Sequence, residues 1–177
     1  MKRGLLMAVV FLTAARPLVG QTCTATVNSG AGNCSVNVTA TMTVNAVVQL
    51  SLSTTTTALT APGSADYDAG FVANTGPSAT VQCNVTCRLQ ISAATATWSA
   101  VATTSVTPRS KPCADLTWST SAGGTFVGLT TTPVTVQTIP ATGGSAPVSI
   151  FYKTIYAWGL DTPAQYSLNV VFTLAAP

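Results

Sequence analysis

The sequence predicts an all-β protein, a single antiparallel sandwich of immunoglobulin type, and three observations support this fold class. Residues 34–52 alternate apolar and polar side chains over nineteen positions, which is the two-residue period of a strand with one buried face. Short segments with the same period follow, and turn-forming residues separate them about every 8–15 positions. Beyond the first twenty residues, no segment has the period of an amphipathic helix. A closed β-barrel is the alternative architecture.

The alternating run at residues 34–52 is too long for one strand of a small domain. At roughly 3.3 Å per residue it would extend about 60 Å, whereas a common strand spans about 17–20 Å. Either the strand bends between two sheets of its own domain, or part of it pairs with another molecule. We therefore divide the chain into a signal peptide (1–20), an N-terminal hairpin and alternating strand (21–45) and a β-sandwich domain (46–177).

The first twenty residues have the layout of a secretory signal peptide. Lys2 and Arg3 form the basic start, residues 4–15 form the apolar centre, and residues 17–20 lead to the cleavage site. An N-terminal membrane anchor is the alternative, and no later segment is long and apolar enough to cross a bilayer. We expect a protein that is secreted or displayed at the cell surface, after periplasmic transit if the cell is Gram-negative.

The formal net charge of +3 comes from the predicted leader. Of the seven basic residues, Lys2, Arg3 and Arg16 lie in the leader, and the other four balance the four aspartates. The mature part therefore has neither the basic surface of a nucleic-acid-binding protein nor an acidic surface for cations.

The chain contains no His and no Glu, which excludes the usual catalytic centres. Histidine is the common general base near neutral pH, so a Ser–His–Asp or Cys–His arrangement is impossible. Asp66 and Asp68, two residues apart on one side of an expected strand, are candidates for a general acid and base or for calcium ligands. Their neighbours lack further acids at calcium-loop spacing, so we favour solvated turn carboxylates. We predict no catalytic activity, no metal and no cofactor.

The five cysteines allow at most two intramolecular disulfides in an exported protein. Cys23 and Cys34 flank an expected hairpin loop and are predicted to bridge across it. Cys83 and Cys87 share one face of an expected strand, where about 13 Å would separate them, beyond disulfide reach. We therefore pair Cys87 with Cys113 and leave Cys83 buried. A Cys34–Cys83 bridge, which would free Cys23, is the alternative.

The expected strands follow the alternation along the chain. Turn signals at residues 62–64 and 74–77 bracket a short segment. Residues 81–91 are predicted to form one continuous strand, with residues 95–102 as its hairpin partner. The later predicted strands are residues 116–119, 125–129, 134–139 and 146–157, and a final strand from Tyr166 to the C-terminus.

The three tryptophans suit either a core or a sugar-binding face. Trp98 and Trp118 lie in expected strands and are predicted to pack in the core. Trp158 follows the end of an expected strand and is the better candidate for an exposed ring. Aromatic rings stack on the apolar faces of pyranoses, so an exposed Trp158 would suit a glycan.

The cysteine-bearing alternating N-terminal segment and the Thr/Ser-rich strands resemble a known family. They are similar to the spore-coat-U-like secreted proteins and their relatives, the archaic chaperone–usher pilins. The ending at residues 161–174, DTPAQYSLNVVFTL, is similar to the usual closing turn and strand of that family. The resemblance extends over roughly residues 34–177 and depends on pattern rather than on an invariant motif.

The resemblance implies an assembly mechanism. In those pilins each subunit lacks one strand, and the N-terminal extension of the next subunit fills the vacancy. Residues 48–52 would then be the subunit's own first strand, and the partners would be copies of the chain, joined head to tail, and an export chaperone. The inserted side chains would be Val36, Val38, Ala40, Met42 and Val44.

Two functions are therefore expected, and neither is enzymatic. The first is a secreted structural or surface-assembly protein, a pilus or coat subunit that polymerises by donating its N-terminal strand. The alternative is a self-complete secreted sandwich that binds a glycan or a cell-envelope partner through an exposed aromatic face.

Overall fold

The computed structural model describes residues 23–25, 32–141 and 146–176. The predicted leader, residues 1–20, and most of the expected loop between Cys23 and Cys34 lie outside these ranges. The chain divides into two compact units, Met1–Val44 and Asn45–Pro177. Strands hold 43% of the described residues and helices 6%, which confirms the all-β prediction.

The described residues of the second unit form ten strands, one short α-helix and one turn of 3-10 helix at Cys113–Asp115. The helix α1 spans Ser64–Ala69. The strands are β1 Val48–Leu52, β2 Phe71–Cys83, β3 Cys87–Ala93, β4 Ser99–Ala102, β5 Leu116–Ser119, β6 Val127–Gly128, β7 Val134–Ile139, β8 Ala146–Ile155, β9 Ala164–Ser167 and β10 Val170–Ala175.

The strands form two main antiparallel sheets. The larger sheet has the order β1-β2-β8-β5-β6 and the smaller has the order β10-β3-β7, while β4 and β9 form a separate pair. Inward side chains of both main sheets meet in one hydrophobic core, which confirms the sandwich. Its most buried members come from the central strands and include Ala79, Val81, Leu89, Ile91 and Ile150.

A corner at Cys83–Cys87 carries the chain from one sheet to the other. The continuous strand predicted for residues 81–91 is wrong, because β2 ends at Cys83 and β3 begins at Cys87 in the smaller sheet. Both side chains still point into the core, so the two-residue alternation continues in phase across the corner. The hydrophobic period therefore gives no sign that the strand ends there.

The disulfides are Cys23–Cys34 and Cys83–Cys87. The first is the predicted bridge. The predicted Cys87–Cys113 pair is wrong, as is the alternative Cys34–Cys83 pair. The corner brings the Cα atoms of Cys83 and Cys87 to 6.4 Å, within disulfide reach. Cys113 is a buried free thiol whose Sγ donates a hydrogen bond to the Leu129 carbonyl at 3.3 Å.

The turn predicted at residues 74–77 is also wrong, because these residues lie inside β2. They form a bulge instead, where the pairing register with β8 shifts between Thr75 and Ser78. A Cβ atom on Gly76 would lie 2.5 Å from Cε2 of Tyr152, so glycine allows the buried tyrosine ring to pack against the bulge.

Non-local pairing explains the other differences from the predicted strands. Residues 95–102 do not pair with β3; β4 pairs with β9 instead. The predicted final strand divides into β9 and β10, which belong to different sheets. The segment before β2 is the helix α1 rather than a strand. The predicted strands at residues 116–119 and 134–139 are confirmed as β5 and β7.

The bulge gives a stability prediction. Gly76→Ala should lower the free energy of unfolding by about 1–3 kcal/mol, because the new methyl group overlaps the buried Tyr152 ring and the Ile150 carbonyl. Gly123→Ala is the matched control: no atom lies within 4 Å of its added Cβ, so the change should stay within about 0.5 kcal/mol. Urea unfolding of the oxidised protein measures both. Equal midpoints for the two variants would contradict the packing argument.

Candidate functional site

The candidate site lies where one end strand of each main sheet meets the other. Within the described part of the chain, β1 pairs only with β2 and β10 pairs only with β3. The two strands approach each other without forming a ladder. Each therefore leaves one edge of backbone N–H and C=O groups that no strand of the described residues uses.

Apolar side chains line this open edge, the β1/β10 edge, and are only partly covered. The inward residues of the central strands are almost fully buried, with Val81 and Leu89 at 0% exposure. The inward residues at the β1/β10 edge are covered less well: Val48 is exposed, and Leu50, Leu52, Val170, Phe172 and Leu174 are half-buried. One more strand along the edge would bury these side chains and pair the free backbone groups.

The N-terminal extension carries the apolar pattern of such a strand. The strand predicted across residues 34–52 forms only at β1, and residues 32–47 form no secondary structure. Val38 is 88% exposed, Met42 86% and Val44 71%; Val36 and Ala40 are exposed as well. The observed strand is shorter than the predicted one because of how β1 pairs. Val48 faces Cys83, the last residue of β2, so the ladder has no further partner there.

Asn84, at the corner, fixes the three residues that precede β1. Its Oδ1 accepts a hydrogen bond from the Val47 N–H at 2.6 Å, and its Nδ2 donates to the Asn45 carbonyl at 2.8 Å. The Asn84 N–H donates to the Val47 carbonyl at 3.2 Å. The amide side chain thus continues the β1 ladder beyond the end of β2. The boundary between the two compact units lies immediately before these three residues, between Val44 and Asn45.

A buried ion cluster lies at the turn between β8 and β9. The Lys111 side chain is 1% exposed, and its Nζ donates to Asp115 at 3.1 Å, to Asp161 at 2.8 Å and to the Ile155 carbonyl at 2.6 Å. Arg109, which is more exposed, contacts the Asp161 carboxylate at 3.3 Å and the Asp115 carboxylate at 3.7 Å.

The side chain of Asp161 is buried although the residue lies in a turn. Its side chain is 4% exposed, and its second oxygen accepts a hydrogen bond from the Ala157 N–H at 2.8 Å. Only Lys111 and Arg109 satisfy its charge, and both lie about fifty residues away in sequence. The cluster therefore holds the loop around Arg109 against the turn that contains Trp158.

Trp158 is exposed, as predicted, and belongs to an aromatic stack. Its ring is 61% exposed and stacks on Tyr67 with centroids 4.6 Å apart. Tyr67 contacts Tyr156 at 5.7 Å, and the Lys111 ammonium lies 4.9 Å from the Tyr156 ring. Burial raises the pKa of the Tyr67 and Tyr156 phenols, and the negative charge of Asp161 adds to this effect. Trp98 and Trp118 are buried, as predicted.

Asp66 and Asp68 lie on α1 and have separate structural contacts. Asp66 Oδ2 accepts a hydrogen bond from the Gly63 N–H at 2.8 Å, at the start of the helix. Asp68 Oδ1 accepts one from the Trp158 indole N–H at 2.9 Å. The helix replaces the expected strand, so the two carboxylates do not face one side of a sheet. The described residues contain no group of three or more potential metal ligands.

One cleft of the described residues is too small to resemble a typical ligand pocket. A cleft of about 180 Å³, lined in part by Phe126, Phe151 and Tyr152, lies beside the bulge of β2. Ligand pockets commonly hold about 300–1,000 Å³, so this cleft is small for a metabolite site. Among residues 23–25, 32–141 and 146–176, no helix has the length and apolar character needed to cross a membrane.

Comparison of the chain with protein-family models and with curated proteins finds no match.

The ion cluster gives a second stability prediction. Lys111→Met should lower the free energy of unfolding by about 3–5 kcal/mol, because Asp161 would keep a buried charge without its nearest partner. Arg109→Met is the matched control and should cost about 1 kcal/mol or less, since the Arg109 side chain is 28% exposed. Denaturant unfolding at neutral pH compares them. An Arg109→Met loss as large as that of Lys111→Met would show that burial does not set the cost.

Proposed function

We propose that this chain is an exported structural subunit that polymerises by strand donation. In this proposal residues 35–44 of one copy add to the β1/β10 edge of the next copy, and the repeat of this step makes a head-to-tail filament or coat. The observation that carries the proposal is the coexistence of an exposed apolar extension and an apolar sheet edge, neither of which pairs with a further strand among the described residues.

The alternation of the extension matches what the edge requires. Val36, Val38, Ala40, Met42 and Val44 would face the apolar side chains of the acceptor, and the Ser, Asn and Thr residues between them would face solvent. Full burial of a valine or methionine side chain contributes roughly 1.5–3 kcal/mol, and the added strand would also form backbone hydrogen bonds. Four such side chains contribute enough to exceed the cost of ordering a short segment.

The length of the extension also fits. Ten residues, 35–44, extend about 33 Å as a strand, which is longer than the six residues of β10 at about 20 Å. The extension therefore has the reach to cover the whole β1/β10 edge. Asn84 holds residues 45–47 against their own subunit, so the donated segment would end at Val44, directly before them.

Export and chaperoning belong to the same proposal. The disulfides Cys23–Cys34 and Cys83–Cys87 fit an extracellular or periplasmic protein, and the leader-like residues 1–20 supply a route. Before assembly, the β1/β10 edge would expose apolar side chains and unpaired backbone, which favours aggregation. An export chaperone that covers this edge would prevent it. No catalytic step is part of the proposed function.

Electrophoresis tests the proposal directly. The exported mature protein, run in SDS with reductant, should give a ladder of multimers without heating and a single band after boiling. Val38→Asp should abolish the ladder, because a carboxylate cannot enter the apolar edge without a large desolvation cost. Thr39→Asp, the next residue on the polar face, should keep it. Both residues are exposed in the single chain, so neither change should unfold it.

Two results would contradict strand donation. One is a single monomer band for the wild-type protein in both lanes. The other is a Val38→Asp ladder that is indistinguishable from the wild-type ladder while circular dichroism shows both proteins folded.

Asn84 should control the spacing of subunits rather than the strength of assembly. Asn84→Ala would free residues 45–47, which adds about 10 Å of linker between a subunit body and its donated strand. Filaments of this variant should show a more variable repeat in electron micrographs, while the ladder in SDS persists. Gln82→Ala, an exposed residue of β2, is the matched control. An unchanged repeat in Asn84→Ala filaments would rule out this role.

A further inference from the structure

The exposed indole of Trp158 is held in one position from several sides. It is a large apolar side chain with 61% exposure in a chain of neutral, hydroxyl-rich composition. Its N–H donates to Asp68 at 2.9 Å, and one face stacks on Tyr67. A single exposed apolar residue is ordinary, but an exposed aromatic ring in a fixed orientation is less so. Holding the ring in place before a ligand arrives would lower the entropic cost of binding.

The support beneath Trp158 reaches into the buried ion cluster. Asp161 accepts a hydrogen bond from the Ala157 N–H, and the Leu160 and Asp161 N–H groups donate to the Ala157 carbonyl at 3.2 Å. These bonds close the turn that presents the indole, and the ion pair with Lys111 holds Asp161 in place. The exposed ring therefore rests on a side-chain network that ends at a lysine with 1% exposure.

The arrangement of the aromatic rings distinguishes a site for a quaternary ammonium ion from a site for a ligand that stacks on a flat face. An aromatic cage for a quaternary ammonium needs a gap between rings, but Tyr67 and Trp158 stack at 4.6 Å with an angle of 28° between their planes. The face of Tyr156 is already occupied by Lys111. The group is thus a flat platform with one open face. Leu160, 56% exposed in the same turn, adds to its apolar area.

The charges around the platform disfavour anionic ligands. The ionised group in contact with Trp158 is the carboxylate of Asp68, and the cations behind the platform, Lys111 and Arg109, are already paired with Asp115 and Asp161. Asp68 is exposed, and its second oxygen has no hydrogen-bond partner among the described residues. It can accept a hydrogen bond from a ligand hydroxyl.

We propose that Trp158, supported by Tyr67 and flanked by Asp68 and Leu160, is a binding site for a neutral saccharide. The apolar C–H face of a pyranose would stack on the open face of the indole, and a sugar hydroxyl would donate to the free oxygen of Asp68. Trp158 and Leu160 lie in the turn between β8 and β9, and Tyr67 and Asp68 lie on α1. None of these residues belongs to β1, β10 or the N-terminal extension. This site goes beyond strand donation and does not require it. In a filament, the repetition of a weak site would raise the apparent affinity.

Saturation-transfer NMR of the full mature protein tests the site. The probes are cellohexaose, chitohexaose and mannohexaose, with phosphocholine and a heparin hexasaccharide as charged comparisons. We expect at least one neutral hexasaccharide to bind with a Kd of about 1 mM. Trp158→Ala should weaken that binding about tenfold or more, and Trp158→Phe, which keeps an aromatic face, should weaken it less. Val101→Ala, an exposed apolar residue of β4, is the matched control and should bind like the wild type.

Three results would overturn the proposal. The first is no binding of any neutral hexasaccharide up to about 10 mM. The second is wild-type affinity in folded Trp158→Ala, and the third is binding of only phosphocholine or the heparin fragment. Acrylamide quenching gives an independent measure, because Trp98 and Trp118 are buried and the accessible emission comes from Trp158. Protection of that emission by the bound sugar is the expected outcome.

Discussion

The disulfide-bridged corner between Cys83 and Cys87 is the feature on which the rest of the structure depends. It moves the chain from the larger sheet to the smaller one and thereby forms the sandwich. It also ends β2 opposite Val48, which leaves the residues before β1 without a strand partner. The free extension and the two-sheet core therefore have a common cause. A single short loop, Asn84 to Thr86, produces both, and the Asn84 amide marks where the body of the subunit stops.

A second constraint is electrostatic and acts at the turn between β8 and β9. Among the described residues, Lys111 is the only basic side chain that is fully buried, and two aspartates and a backbone carbonyl satisfy its hydrogen bonds. Its position fixes Asp161, and Asp161 fixes the turn that presents Trp158. A protein with so few charges places four of them together, which suggests that they orient loops rather than keep the chain in solution. Buried pairs of this kind specify geometry more than they add stability.

The sequence predicted the features that depend on local alternation. It predicted the fold class, the bounds of β5 and β7, the burial of Trp98 and Trp118 and the exposure of Trp158. It also singled out the extension as unusual, because nineteen alternating residues exceed any one strand of a small domain. It could not predict the corner, since a two-residue period stays in phase when both sides of a turn face the same core. It could not predict the burial of Asp161, whose partners lie far away in sequence.

The sequence by itself therefore determined that this chain forms β-strands, which faces of those strands are apolar, and that one alternating stretch is longer than a common strand. The tertiary structure decided which strands pair, that β4 joins β9, that Cys87 bridges to Cys83, and that β1 and β10 each have one strand partner among the described residues. The physical reason is the range of the interactions. Side-chain alternation is a property of neighbouring residues, whereas pairing, bridging and burial depend on contacts between residues that are distant along the chain.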